Sequence, residues 1–223
     1  YRLGVAYAQG DGVGQDYVES AMWFRRAAAQ GQAHAQNSLG MLYMNGQGVV
    51  QDDREAVKWY RMAAEQGDAQ AQSNLGALSA GGHGVAQDSA QAVAWFRRAA
   101  EQGNAKAQSN MGTAYTNGYG VEENHTTAFE WNQQAADQGL ADAQLRVGEA
   151  YASGDGVAKD SAAAVEWYLL AAEQGLAGAQ YDLGVAYAYG IGVEEDRAEA
   201  TRWFGLAAAQ GHVMAQALLA GLG

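Results

Sequence analysis

The chain has 223 residues, a net charge of −12 and a sequence pI near 4.6. With 13 Lys and Arg against 25 Asp and Glu there is no basic stripe for a phosphate backbone or an anionic membrane surface, so neither nucleic acid nor a charged bilayer is expected as a partner. Thirty glycines, no proline and no cysteine together exclude collagen, a disulfide framework and thiol chemistry, and leave glycine as the punctuation of something ordered.

Taken from the N-terminus, Tyr1-Arg2-Leu3-Gly4 reads as the middle of a helix rather than the charged start of a leader peptide. The chain is therefore expected to be part of a longer protein. The compartment stays open, with a periplasmic or secreted bacterial location among the options. No apolar run is long enough for a membrane span.

A fixed step then governs the rest. Trp23, Trp59, Trp95, Trp131, Trp167 and Trp203 follow one another at 36 residues, and Gln36, Gln72, Gln108, Gln144, Gln180 and Gln216 keep the same interval. Two glycine series, from Gly12 to Gly192 and from Gly31 to Gly211, share it. Such self-similarity is the mark of a repeat array. The expected division is one repeat domain over 1–223: a partial first copy at 1–32, complete copies at 33–68, 69–104, 105–140, 141–176 and 177–212, and a terminal half copy at 213–223.

Within 33–68, Ala35, Leu39, Gly40 and Tyr43 mark one face of a first helix, which Gly46-Gln47-Gly48 ends. Asp52 is placed to cap a second helix. Glu55, three residues later, completes the pattern of a capping box. Ala56, Trp59, Tyr60, Ala63 and Ala64 give that helix an apolar face, and Gln66-Gly67 closes it. Copy 69–104 departs at Ser79, where the others carry Tyr, so its first helix is expected to fray or bend. Copy 105–140 departs at Asn124, still a competent cap, and at Asn132, where an aromatic residue stands in the other copies. The tryptophans are expected in the core, each removing roughly 150–250 Å² from water, on the order of 4–6 kcal/mol before entropy is counted. Arg25-Arg26, Arg61 and Arg97-Arg98 read as a solvated stripe near helix C-termini.

The pattern Ala-x-Ala-Gln-x-x-Leu-Gly-x-x-Tyr-x-x-Gly-x-Gly-Val, followed by Ala-x-x-Trp and Ala-Ala-x-Gln-Gly, resembles the Sel-1-like repeat (SLR) family, a relative of the tetratricopeptide repeats. It covers the whole chain and is cleanest in 33–68 and 177–212. The resemblance implies an all-α fold, a right-handed α/α superhelix (solenoid) of helix-turn-helix repeats with a concave face lined mainly by first helices. It also implies an adaptor that binds proteins or peptides.

Signals for chemistry are weak. Gly10-Asp11-Gly12 and its copies join two helices, without the preceding strand that a phosphate-cradling loop needs. His34, His83, His125 and His212 form no i, i+3 or i, i+4 pair, no cysteine completes a zinc set, and Asp11, Asp16 and Asp155 lack the spacing of a calcium loop. No serine has a lysine three residues on, and there is no Gly-x-Ser-x-Gly elbow. No catalytic residue, metal or cofactor is therefore expected. A weak hydrolase of the β-lactam-binding type, by family analogy, and a self-associating structural spacer remain as alternatives to the scaffold.

Specificity is expected in the slots that vary. By analogy with tetratricopeptide grooves, Asn74, Lys106, Asn110 and Arg146 are candidates to line a groove for an extended segment, through amide and guanidinium hydrogen bonds. Tyr181, Val185, Tyr189 and Ile191 are a second, apolar candidate patch. Inter-repeat packing and solvation are the competing roles for both sets. A monomer is expected.

Overall fold

The computed structural model describes the backbone of residues 1–222 and the side chains of residues 1–219, so Gly223 of the terminal half copy lies outside the described residues. Among the described residues there are thirteen helices and no strand. They are α1 (Arg2–Gln9), α2 (Tyr17–Ala28), α3 (Ala33–Asn45), α4 (Asp53–Glu65), α5 (Ala69–Gly81), α6 (Ser89–Ala100), α7 (Ala105–Asn117), α8 (His125–Asp137), α9 (Ala141–Ser153), α10 (Ser161–Glu173), α11 (Ala177–Tyr189), α12 (Arg197–Ala209) and α13 (Val213–Leu222). Each 36-residue copy contributes a helix pair, as the spacing predicts. Contacts divide the chain into two compact units, Tyr1–Ala107 with Tyr119–Val121, and Gln108–Gly118 with Glu122–Gly223.

The caps form at the expected residues. Asp52 Oδ1 accepts from the Arg54 and Glu55 amides at 2.9 and 3.1 Å, and Asn124 Oδ1 accepts from the Thr127 amide at 2.9 Å. The reciprocal half of the capping box does not form. The Asp52 amide instead donates to the Tyr43 carbonyl at 3.0 Å, which pins the loop to the end of α3, while Glu55 turns outward to Lys58 at 3.1 Å. Gly48 shows why the loop needs glycine. Its φ is 68°, and an added Cβ would run into the backbone carbonyl of Tyr17 in the preceding copy.

The core is built from a ring laid on a glycine. A Cβ on Gly40 would lie 2.9 Å from the Tyr60 ring, and one on Gly76 would lie 2.7 Å from the Phe96 ring. Gly4 with Phe24, Gly148 with Tyr168 and Gly184 with Phe204 repeat the contact in their own copies. Leu39, Leu75, Met111, Val147 and Leu183 fill the slot beside these glycines and are fully buried. The aromatic that occupies the core is thus the one after the tryptophan.

That corrects the expectation for the tryptophans, of which only Trp203 is buried. Trp59 and Trp95 lie half-exposed, each against the apolar cluster that joins the second helix of the preceding copy to the first helix of its own. Their outer faces carry cations: the Arg26, Arg98 and Arg202 guanidinium carbons stand 4.8, 4.8 and 4.1 Å from the ring centres of Trp23, Trp95 and Trp203. Arg26 and Arg98 are therefore not merely solvated, and each such contact is worth about 0.5–1 kcal/mol at an exposed site. Ser79 brings a second correction. It is fully buried and its hydroxyl donates to the Leu75 carbonyl at 2.9 Å, so α5 keeps the 13-residue length of α3 without fraying.

The glutamines do more than terminate helices. Gln36, 1 % exposed, accepts from Gln66 Nε2 at 2.6 Å and donates to the Ala28 carbonyl at 3.2 Å. Gln102 to Gln72, Gln138 to Gln108, Gln174 to Gln144 and Gln210 to Gln180 repeat the first bond at 2.7–2.8 Å. A buried amide satisfied on both its oxygen and its nitrogen is costly to remove. Gln36→Leu keeps the volume but removes one bond from the Ala28 carbonyl, which keeps the Gly31 amide, and one from the Gln66 amide, which keeps the Met62 carbonyl. It should lower stability by about 1–3 kcal/mol, read from amide hydrogen exchange in α3 and α4. Unchanged exchange there would make the amide ladder incidental.

Candidate functional site

In the first unit, Asn74 is half-buried on α5 and already engaged. Its Nδ2 donates to Asn37 Oδ1 at 3.2 Å, and its Oδ1 accepts from Gln70 Nε2 at 3.1 Å. Asn104 Nδ2 reaches Gln70 Oε1 at 3.3 Å, so a chain of amides runs along these first helices. Lys106 is exposed beyond it. In the second unit, Asn110 is half-buried on α7 and Arg146 is exposed on α9. The apolar set divides. Tyr181 stacks on His212 at 4.6 Å between ring centres and, with Val185, covers the cluster around Phe204, whereas Tyr189 (67 %) and Ile191 (47 %) face solvent.

A site that the spacing did not single out lies in the second unit, where the ring-on-glycine contact lapses. Asn132 takes the place of the ring and lies directly over Gly112. It is 6 % exposed, and its Oδ1 has no hydrogen-bond partner among the described residues. One turn earlier, Phe129 stands where the neighbouring copies have Val93 and Val165, and it packs edge-on against Tyr151 at 5.4 Å. One aromatic ring has in effect moved by three residues along α8. A cavity of about 120 Å³ lies beside the amide, in the same register as one of about 130 Å³ a copy later where Tyr168 keeps its ring, so the substitution changes the lining of the space rather than opening it.

Its walls carry more polar groups than those of the corresponding cavity one copy on, where Ser161, Tyr168 and Asp182 stand among Val165, Val185 and Ile191. Thr116, His125, Asn132, Arg146, Glu149 and Asp155 line the cavity beside Asn132, with Phe129 as the apolar side. Thr116 Oγ1 donates to the Gly112 carbonyl at 3.0 Å. His125 opens α8; its Nε2 lies 2.8 Å from Glu123 Oε1, and its Nδ1 lies 3.0 Å from Asp155 Oδ2, close enough for an ion pair but not aligned as a hydrogen bond. The hydrogen bond to Glu123 and the charge of Asp155 push the His125 pKa up. Burial raises the Glu149 carboxyl despite the opposing charge of Arg146. Burial, then the charge of Glu149, pushes Asp182 up to about 6. Two partly desolvated carboxylates thus face each other across α9 and α11. Among the described residues no group of three or more His, Asp or Glu side chains is arranged to hold a metal ion.

Family comparison supports the architecture independently. The Sel1 repeat model matches residues 1–32, 33–68, 69–104, 105–140, 141–176 and 177–212. The chain belongs to the Sel1 repeat family. Such repeats generally act as protein-interaction scaffolds. A protective antigen present in uropathogenic Escherichia coli strains, displaying an SLR fold, is similar at 42 % identity and a TM-score of 0.91 over 98 % of the chain. The chain spans only 47 % of that structure's length. A Sel1 repeat protein from Oxalobacter formigenes is similar at 36 % identity and a TM-score of 0.88, covering 98 % of the chain and 86 % of its own length. An immunity protein from Pseudomonas aeruginosa, at 19 % identity and a TM-score of 0.57 over 96 % of the chain and 80 % of its own, shares the fold alone. No curated protein matches the chain.

The carboxylates set a pH dependence. Asp182 rises from an ordinary 3.8 to about 6 in the Sel1 repeat fold, so the folded chain holds its proton more tightly and loses stability as pH climbs through that window. His125 acts in the same direction at higher pH: its contribution is complete below about 6.5 and is lost as pH passes its raised folded value. Thermal melts should therefore show stability declining from pH 4 to 8. Asp182→Asn should flatten the acidic part of that slope and raise the melting temperature at pH 7. An unchanged slope in the variant would remove Asp182 from the account.

Proposed function

We propose that this chain is a single-domain, monomeric, non-enzymatic Sel1 repeat scaffold that binds a protein or peptide through side chains in its variable slots. One observation carries this reading: the recurring residues are consumed by caps, glycine contacts and the amide ladder, while Tyr189 and Ile191, two residues apart in slots that vary, are both exposed. Tyrosine and aliphatic side chains left in solvent have no packing role to explain them, and tyrosine often anchors an interface. Lys106 and Arg146 add exposed donors, one in each unit, suited to carboxylate groups on a partner. Asn74 and Asn110 offer amides, although Asn74 would have to exchange its bonds to Asn37 and Gln70 for bonds to a ligand.

The test is capture of a partner from the native host followed by titration of the purified pair. Tyr189→Ala with Ile191→Ala should weaken binding by at least about 2 kcal/mol, the scale of interface anchors. Lys106→Ala and Arg146→Ala should each cost about 1 kcal/mol or more and reduce the salt dependence. A partner that binds all three variants as well as the parent chain would overturn the assignment of these residues. Sustained turnover of a chromogenic β-lactam would overturn the non-enzymatic reading.

A further inference from the structure

The cavity beside Asn132 has the properties of a receptor for one side chain. Two departures from the repeat meet there, Asn132 for an aromatic and Phe129 in a slot that is valine in three other copies, and two variable slots add Glu149 and His125. The corresponding cavity one copy on has Tyr168, Val165, Val185 and Ser161 at these places. What is particular to this copy is the lining: an amide in place of a ring, a displaced ring beside it, and hydrogen-bonding groups around both. The cavity's size of about 120 Å³ equals roughly four water molecules, or the end of one extended side chain.

The chemistry of the walls selects the occupant. Asn132 Oδ1 is an acceptor, more than nine-tenths buried and without a partner, and such a group costs free energy until a donor reaches it. Glu149 lines the same cavity from an exposed position on α9, next to the charge of Arg146. Glu123 and Asp155 hold His125 at the cavity, and Asp182 of α11 lies near enough to Glu149 to feel its charge, against Arg146 and His125. His125 is already held between two of these carboxylates, and Arg146 is exposed beside Glu149. The unmet requirement is thus for hydrogen-bond donors carrying positive charge.

We propose that this cavity receives the ammonium group of a lysine side chain from a partner polypeptide, with Asn132 Oδ1 and the Glu149 carboxylate accepting from Nζ and Phe129 lying against the aliphatic stem. Lysine fits better than arginine, because a compact ammonium with three donors suits a small cavity, whereas a planar guanidinium needs a wider slot. The assignment rests on the scaffold reading above and adds what part of the partner is read at this place.

A test that needs no partner separates the two claims. The full chain, labelled with nitrogen-15, is titrated at pH 7.5 with N-acetyl-lysine amide, with N-acetyl-norleucine amide and with N-acetyl-glutamine amide. The lysine probe should shift the backbone amides of Thr116, Glu149 and Ser153 with saturation in the millimolar range, while the norleucine and glutamine probes should leave them in place. Asn132→Phe restores the ring found in the other copies and should abolish the shifts while preserving or raising the melting temperature. Glu149→Gln leaves the cavity open and should weaken binding by about tenfold through loss of a charge-assisted bond. No shift with the lysine probe, equal shifts with norleucine or glutamine, or lysine binding that survives both substitutions would each overturn the proposal and leave the cavity to water. None of these outcomes touches Tyr189 or Ile191, so the scaffold reading stands or falls on its own titration.

Discussion

A ring seated on a glycine is the contact from which the rest of this structure follows. Gly40 under Tyr60 and Gly76 under Phe96 bring the first and second helices of a copy closer than any side chain on the first helix would allow. Close approach then buries alanines on both helices, among them Ala35, Ala56, Ala63 and Ala71, with no accessible surface left. Interiors are packed too densely to absorb an added methyl without displacement, so the glycine and the ring must be present together. Alanine elsewhere supplies helix propensity at no cost in side-chain entropy, and the array can use it so heavily because the rings do most of the filling.

Packing within a copy does not fix one copy on the next; three other devices do that. The second glycine of each loop lies on the first turn of the preceding copy's second helix, as Gly48 does on Tyr17 and Gly156 on His125. Half-exposed tryptophans lean back onto the previous cluster, as Trp59 does. The glutamine amides join the end of one copy's second helix to its own first helix, and on to the backbone of the copy before, as Gln66, Gln36 and Ala28 do. Directional hydrogen bonds between buried amides set register in a way that alanine contacts cannot, since small apolar side chains slide past one another at little cost.

Much of this is legible from residue types alone, because each helix end has a chemical signature. Asp52 and Asn124 cap where their short acceptors permit, and Gly46 stops α3 in the left-handed backbone at φ 65°. The tryptophans are harder to place. Their period matches that of the core, and periodicity reports a shared face without saying whether that face looks inward or toward the neighbouring copy. Phe24, Tyr60 and Phe96, one residue later, hold the inner position for a reason invisible in the spacing, namely which of two adjacent rings meets the glycine. Capping boxes mislead similarly: the Asp52 amide has a better partner in the Tyr43 carbonyl, nine residues back in sequence and adjacent in space. Ser79 shows the reverse, a substitution that reads as a fault but whose hydroxyl finds the Leu75 carbonyl inside its own helix.

Asn132 stands out in the sequence as a departure, and its consequence depends on residues no local pattern connects to it. Phe129 lies in the same helix, Thr116 in the helix before, Glu149 in the helix after, and Asp155 in the loop that packs on His125. A repeat fold multiplies one packing solution, so a position that abandons it loses a ring's worth of burial, several kcal/mol by area. Phe129 recovers part of that loss by packing on Tyr151, but it does so from a different slot, and the cavity that the next copy also has is lined here by an amide instead of a ring. An unpartnered amide oxygen over Gly112 costs more there than an apolar side chain would, and no residue of this chain meets it. Asn132, with Glu149 in the adjoining wall, therefore gives this copy a polar lining that the ring-on-glycine packing of the other copies does not have.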